Sequence, residues 1–382
     1  TTPILFPKVQ VPPTRPQLVS RQRLLQALDQ GLHRRLTLIS APAGYGKSTL
    51  LSEWAGVCSW PLGWVTLESG DNDLERFLAY LFSAMQVAGA GTASLDEILG
   101  ARIPMQPLPL EAMLAILLNQ LPMAVERMVM VLDDYHHIDS PEIHGFISEL
   151  LEHLPPNIHL VIATRADPPL PLARLRARDQ LNEITESELR FTDQEAFAFF
   201  NQGMGLQLTS EQVGELGTRT EGWVTGLQLA GLSLKDRQQP ADLIATLAGT
   251  HRYILDYLLE EVFSDLPADL QTFLLRTSIL ERLSPGLCDA VAGDPGGDPA
   301  ASPGPVAVLE HMDAANLFVV ALDSQRQWYR YHPLFADFLR HRLETRHAGE
   351  LPGLHRRAAA WFADHGMPRE AVAHSLAVGD TA

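Results

Sequence analysis

An α/β fold, a parallel sheet wrapped by helices on both faces, is predicted for the first half of the chain. A helical region, a short hairpin and further helices are predicted for the second. Three observations carry this. Short apolar runs alternate with helical patterns up to about residue 190. Two of those runs deliver Gly-Lys-Ser and Asp-Asp at their C-terminal ends. From Thr192 onward the strand pattern stops and helical periodicity takes over.

Composition sets the bounds. A chain of 382 residues is long enough for two to four domains. Hydrophobic residues at 46% and charged ones at 20% fit a soluble globular protein with ample core. Only Cys58 and Cys288 occur, in unrelated contexts, which excludes a disulfide framework or a cysteine zinc site and fits a reducing cytoplasm. The chain opens on Thr-Thr-Pro without a Met, so a trimmed N-terminus is expected, and no signal peptide is read there. Ala112–Val125, the longest uncharged apolar stretch near the middle, is broken by Asn119, Gln120 and Pro122. It falls short of the roughly 20 apolar residues a membrane span needs. With 29 basic and 46 acidic residues the net charge is −17, which argues against a free-standing nucleic-acid binder.

The elements follow in order. Thr1–Val19 is Pro-rich and expected to be extended. Ser20 is read as the N-cap of a helix through about Gly31 that buries Leu24, Leu25 and Leu28. Leu36–Ser40 is a buried strand, leading through Ala41–Thr49 into a helix over Leu50–Val57. Gly63–Leu67 is a strand, Asp73–Val87 a helix and Met128–Leu132 a strand ending in Asp133 and Asp134. Pro141–His153 is a helix, Ile158–Ala163 a strand ending in Thr164-Arg165, and Leu181–Arg190 one further strand. Thr192-Asp-Gln-Glu195 is a capping box opening a helical domain with Phe197, Phe199, Phe200, Leu216, Trp223, Leu227 and Leu229 in its core. Helices follow around Asp269–Arg276 and Val306–Ala315, separated by a mobile loop over Gly293–Pro305. Leu317–Leu322 and Trp328–His332 form a hairpin, with a helix from Pro333, the outline of a winged-helix domain. Leu354–Leu376 resembles one helical-repeat unit, and since about three repeats are needed for stability the natural protein is expected to continue.

The chemistry concentrates at Ala41-Pro-Ala-Gly-Tyr-Gly-Lys-Ser-Thr49, a phosphate loop between strand and helix. Backbone N–H groups over Ala43, Gly44, Tyr45, Gly46, Lys47 and Ser48, with Thr49 behind them, would wrap the β-phosphate of ATP or ADP, aided by the helix N-terminus. Lys47 would contact the β- and γ-phosphates, and the Ser48 hydroxyl would ligate Mg²⁺. Asp133 would hold the Mg²⁺, directly or through water, and Asp134 would orient the attacking water. Arg165 ends the next strand, where its guanidinium would distinguish ATP from ADP. His136, His137, Asp139, Glu142 and His144 follow the acidic strand but lack metal-ligand spacing, since His137 and His144 are separated by Pro141. Basic residues gather at Arg326, Arg330, Arg340, His341, Arg342 and Arg346, but Asp323, Asp337 and Glu344 are interleaved.

With these residues in place the chain resembles the signal-transduction ATPases with numerous domains (STAND). Within them it is similar to the branch of maltose-regulon-activator-like, large ATP-binding LuxR-type transcriptional regulators. The resemblance rests on Ala41–Ser48, Trp64–Phe77, Val131-Leu-Asp-Asp-Tyr135, Ala163-Thr-Arg165, Glu221–Leu227 and Arg330–Leu339. It implies a P-loop nucleotide-binding domain over 1–191, an all-α helical domain over 192–259, a winged-helix domain over 260–350 and the start of a helical-repeat arm over 351–382. It implies that the winged helix folds over the nucleotide, with His332 on the β-phosphate of ADP, and that Val19-Ser-Arg21 cradles adenine. Many relatives carry Gly-x-Pro in the helical domain with the Pro against adenine, whereas this chain has Gly222-Trp223-Val224. No DNA-reading effector follows Leu376.

The resulting expectation is a cytoplasmic regulatory switch, closed with ADP and opened for self-assembly by ATP plus an inducer acting on C-terminal repeats. DNA would be reached only through a C-terminal effector. Asp134 in place of Glu and the lack of an arginine finger point to a slow ATPase at most. The alternatives are a remodelling enzyme with rapid hydrolysis, or a winged-helix DNA-binding module.

Overall fold

The computed structural model describes residues 4–14, 18–89, 114, 118, 126–235, 252–264, 266–293, 304–314, 317–323 and 325–378. They divide into two compact units, Thr1–Arg190 and Phe191–Ala382.

The first unit is built on five parallel strands: β1 (Leu36–Ser40), β2 (Leu62–Thr66), β3 (Met128–Asp133), β4 (Ile158–Thr164) and β5 (Leu181–Thr185), in the order β2-β3-β4-β1-β5. The inner strands β1, β3 and β4 are buried at every position, because helices cover both faces and leave no wet side for polar alternation. Those helices are α1 (Gln22–Gly31), α2 (Lys47–Ala55), α3 (Leu74–Val87), α4 (Pro141–His153), α5 (Leu172–Ala177) and the single turn α6 (Glu186–Leu189). The apolar side chains of β3 and β4 merge with those of α3 and α4 into one core that includes Phe77, Leu81, Phe146 and Ile147.

A polar thread crosses the opposite face of the sheet, since Thr37, His159 and Asn182 alternate with the strand residues of that core. Asn182 on β5 donates to the Thr37 hydroxyl on β1 at 3.2 Å, and Thr37 lies 2.9 Å from Nε2 of His159 on β4. Nδ1 of His159 faces the Arg34 carbonyl at 2.8 Å and must therefore carry the ring proton, which leaves Nε2 to accept from Thr37. Burial pushes the imidazole down to about 4, so it is neutral and this tautomer is fixed.

Four expectations are corrected in this unit. The N-terminal segment is not extended throughout, because Phe6–Val9 forms a 3₁₀ turn and Lys8 pairs with the fully buried Asp71, which Arg76 also meets at 2.9 Å. Arg21 rather than Ser20 occupies the N-cap of α1, since the Arg21 guanidinium is drawn to the carbonyls of Leu189 and Arg190. Helix α2 begins at Lys47, a turn earlier than Leu50, as Gly46 is left-handed and reverses the chain directly into it. Strand β5 stops at Thr185, where Thr185 and Glu188 form a capping box and start α6, so the strand over Leu181–Arg190 is only half strand.

In the second unit the Thr192 capping box forms as expected, Thr192 Oγ1 accepting from Glu195 N at 3.2 Å. It opens α7 (Asp193–Ala198), followed by α8 (Ser210–Thr220), α9 (Val224–Lys235) and α10 (Arg252–Leu258). Phe200, Leu216, Trp223 and Leu227 are buried. Phe197, expected in the core, is 39% exposed, and Phe199 and Leu229 are only partly covered. Ala196 and Phe200, four apart, take the inward face of that turn and direct residue 197 outward.

Helices α11 (Ala268–Thr277), α12 (Pro285–Ala292) and α13 (Pro305–Ala314) lead to an antiparallel hairpin, β6 (Val319–Ala321) with β7 (Tyr329–Tyr331). The hairpin strands are shorter than the sequence pattern suggests, since left-handed Phe318 and a turn held by Asp323 limit the pairing. Helix α14 (Pro333–Arg346) closes the winged-helix outline, and α15 (Leu351–Asp364) pairs with α16 (Pro368–Ala377) as a helical hairpin. Most of the loop expected over Gly293–Pro305 (residues 294–303), and all but Leu114 and Leu118 of Ala112–Val125, lie outside the described residues. Among the described residues no helix is long and apolar enough to cross a membrane.

Candidate functional site

The sheet order places β4 between β1 and β3, so the ends of three adjacent strands converge on one edge, where ligands bind in open α/β sheets. The loop after β1 is tied to β4 by Ala41 N donating to the Thr164 carbonyl at 3.3 Å. Gly44 (φ 80°) and Gly46 (φ 77°) are both left-handed, which rolls the loop into a concave ring ahead of α2. A Cβ placed on Gly46 would meet nothing within 4 Å, so the ring opens onto space of the kind a phosphate fills. The first N–H groups of α2, at Lys47, Ser48 and Thr49, have no carbonyl inside the helix to pair with.

Two anchors hold this loop. Tyr45 is fully buried and its hydroxyl donates to Glu186 at 2.9 Å, while Arg190 pairs with the same carboxylate at 2.7 Å. The Tyr45 side chain thus fastens the loop to α6, leaving its backbone to the ring. Ala43 is buried at the loop's base and Thr49 is exposed on α2.

Lys47 curls back so that Nζ donates to the carbonyls of Ala41 (2.6 Å) and Pro42 (2.9 Å). Burial, reinforced by the nearby Arg165 charge, lowers its ammonium to about 8. A polyanion at the loop would favour the charged form. The Ser48 hydroxyl donates to Asp133 Oδ1 at 3.0 Å, joining the loop to the end of β3. Burial and the adjacent Asp134 push the Asp133 carboxyl up to about 7, so it is short of positive charge. A hydroxyl and a carboxylate side by side, beside space for phosphate oxygens, suit Mg²⁺, which takes one or two protein ligands and keeps water and phosphate for the rest. The donor set therefore fits a magnesium nucleotide.

Asp134 has φ 56° and ψ 38°, a left-handed conformation that Asp tolerates better than most residues, and its N–H returns to Asp133 Oδ1 at 3.1 Å. Arg165 follows β4, and its charge is felt at Lys47 and at His136, which places it at the same edge. Arg21 is buried with its guanidinium on the 189–190 carbonyls, so its side chain braces α6; Val19 is half-buried. His332 belongs to the second unit, buried, with Nε2 3.1 Å from the Thr220 carbonyl and its ring edge-on to Trp223.

Three contributions were not read from the sequence. Glu186 holds Tyr45, as above. Asn72 accepts from the N–H groups of Asp139 (2.6 Å) and Ser140 (2.9 Å) and donates to the carbonyls of Ser69 (3.0 Å) and His137 (2.8 Å). His136, discounted with its neighbours, lies 3.8 Å from Asp134 at the phosphate edge. The Asp71-Asn72 pair inside the Trp64–Phe77 motif was the available signal, since short polar side chains that bind backbone mark fixed turns.

Comparison with known proteins bears on the whole chain. Residues 259–351 match the family model of the MalT winged helix domain. The HTH-type transcriptional regulator MalT of Serratia proteamaculans strain 568 is 39% identical over 366 residues, 95% of this chain. Over that span the chain is similar to MalT. MalT of Klebsiella pneumoniae strain 342 is 38% identical over 364 residues, again 95% of this chain. In both cases the chain spans only 39% of the relative's length. A Walker-type ATPase of Pyrococcus abyssi superimposes with a TM-score of 0.55 at 15% identity, covering 86% of this chain and 97% of that one, a likeness of fold. The resemblance to maltose-regulon-activator-like regulators, carried by the motifs, is the one these matches bear out, and the P-loop fold and winged-helix assignments stand with it.

Proposed function

We propose that the chain is the nucleotide-binding regulatory switch of a signal-responsive transcriptional regulator in the cytoplasm. It holds Mg²⁺ with ATP or ADP on Ala41–Ser48. The observation that carries this reading is the Ser48–Asp133 hydrogen bond at 3.0 Å beside the open concavity at Gly46. Ser48 and Asp133 hold the metal, Lys47 binds the β- and γ-phosphates, and Asp134 orients water. Arg165 reports the γ-phosphate, and Val19 and Arg21 lie on the adenine side. The four-domain division at residues 191, 259 and 350 is part of this reading.

ADP keeps the switch closed through His332. ATP and an inducer bound to C-terminal repeats open it for self-assembly, and DNA is bound by a C-terminal effector. A ligand moves such an equilibrium only by binding the two states differently, and Arg165 and His332 supply opposite preferences. Asp134, shorter than the Glu of fast hydrolases, makes hydrolysis slow. A DNA-binding winged helix is disfavoured because three of its basic side chains are engaged: Arg330 pairs with Glu221 at 2.9 Å, Arg326 with Asp313 at 3.3 Å, and Arg340 donates to the Ser278 carbonyl at 2.8 Å.

The test is the nucleotide carried by freshly purified protein, released by denaturation and identified by chromatography, with K47A and H332A alongside. The reading requires ADP at about one per chain in the parent, none in K47A and faster exchange in H332A. A parent without retained ADP and indifferent to the His332 change removes the lock.

A further inference from the structure

His136 is a half-buried side chain, 14% exposed, that no role above uses. It sits on the one-turn 3₁₀ helix Tyr135–His137 that follows Asp134. The left-handed turn at Asp134 folds this helix back toward the strand ends, and the His136 ring comes to rest 3.8 Å from the Asp134 carboxylate. The charges of Arg165 and Lys47 both act on it. Among the described residues neither ring nitrogen has a hydrogen-bond partner, although both are shielded from solvent. A polar group left in that state is costly, and such a group at a ligand edge is explained by a ligand or a water it is built to receive.

The surroundings fix the ring and leave room beside it. Asn72 spends both lone pairs and both amide hydrogens on Ser69, His137, Asp139 and Ser140, pinning the turn that carries His136. The ring lies against His137, centroids 4.2 Å apart. Beside it opens a cavity of about 680 Å³ lined by Tyr135, His136, Asp139, His144, Thr164 and Asp167. Burial, with Arg165 next in weight, drives the imidazole to about 3, so the ring is neutral and offers one donor and one acceptor.

We propose that His136, together with Asp134, holds the water that attacks the γ-phosphate, as a positioning residue for hydrolysis. This rests on reading Ala41–Ser48 as an ATP site. In the step, the water oxygen bonds to the γ-phosphorus and the bridging oxygen departs with ADP. The proton released leaves through the water of the cavity. The ring gains no proton; it fixes the direction from which the water approaches.

The test compares the parent chain with H136A and H136N in single-turnover Mg-ATP hydrolysis, in affinity for a fluorescent ADP analogue and in melting temperature. Misplacing a reacting water costs on the order of 100-fold, so H136A should slow by that order while ADP affinity and melting stay at parent values. H136N, which keeps a donor and an acceptor, should recover part of the rate. Hydrolysis by H136A at the parent rate overturns the proposal. So does a parallel loss of ADP affinity and rate in both variants, which marks a structural role. A parent that binds ATP without ever hydrolysing it overturns the hydrolytic role and leaves the nucleotide site standing. A parent that binds neither nucleotide defeats the underlying reading instead.

Discussion

The side chain of Asn72 donates to the carbonyl of His137 at 2.8 Å, spanning 65 residues of sequence. With its bonds to Asp139, Ser140 and Ser69 it uses its full hydrogen-bonding capacity to clamp the segment after β3 against the start of α3. Asn72→Ala should therefore lower stability by about 1–2 kcal/mol, the worth of partly exposed hydrogen bonds to backbone. Urea unfolding measures the loss. Hydrolysis should fall further than ADP affinity, because the turn that loosens carries Asp134 and His136 and not the phosphate loop.

Gly46→Ala probes the concavity. At φ 77° an L residue costs about 1–2 kcal/mol, and its methyl group would project into the space left for phosphate. Gly205, at φ 71° and also without neighbours within 4 Å, provides a matched control in the second unit. Both alanine variants should unfold at somewhat lower denaturant, and only Gly46→Ala should emerge from purification without nucleotide. Equal nucleotide content in the two variants would reject the concavity as the phosphate site.

His159 gives a pH dependence with a definite sign. Its folded value, about 4, lies below the ordinary 6.5 because burial disfavours the charged ring. Below the ordinary value the unfolded chain takes up a proton that the folded chain refuses. Stability from this group is thus complete above 6.5 and declines as the pH falls toward 4. Between about pH 7.5 and pH 5 the decline amounts to about 2 kcal/mol. Urea titrations of the parent and His159→Gln across that window should show a shallower slope in the variant. Identical slopes would mean that the ring is not held neutral.

Trp223 is fully buried in the second unit. Its ring packs against Phe318, His332 and Tyr257 at centroid separations of 5.3, 6.0 and 5.7 Å. A Cβ on Gly226 would come within 2.6 Å of that ring, so the glycine one turn on makes the room. Trp223→Ala should cost about 3–5 kcal/mol, as emptied aromatic sites do. Thermal unfolding and the near-ultraviolet signal of the tryptophans would report it. A change in melting within error would show that the ring is not part of this core.

Motifs whose meaning is local were legible from sequence. The glycines of Ala41–Ser48 are needed for left-handed turns wherever the loop sits, and the capping box at Thr192 is satisfied within one helical turn. Misreadings occurred where two local signals competed. The apolar pattern after Leu181 reads as a long strand, yet Thr185 and Glu188 satisfy each other's backbone and start a helix first. Phe197 is apolar, but burial follows the face shared by Ala196 and Phe200.

By itself the sequence determined most of the segments that become strands and helices, and that a phosphate loop and an acidic strand end exist. These follow from side-chain periodicity and from glycine at positions with positive φ. Only the tertiary structure decided which distant groups meet. Strand order brings Ser48 to Asp133 across 85 residues, and the turn at Asp134 brings His136 to the same edge. Contacts of that kind depend on how strands are arranged across a sheet, and a strand's own residues carry no record of its neighbours.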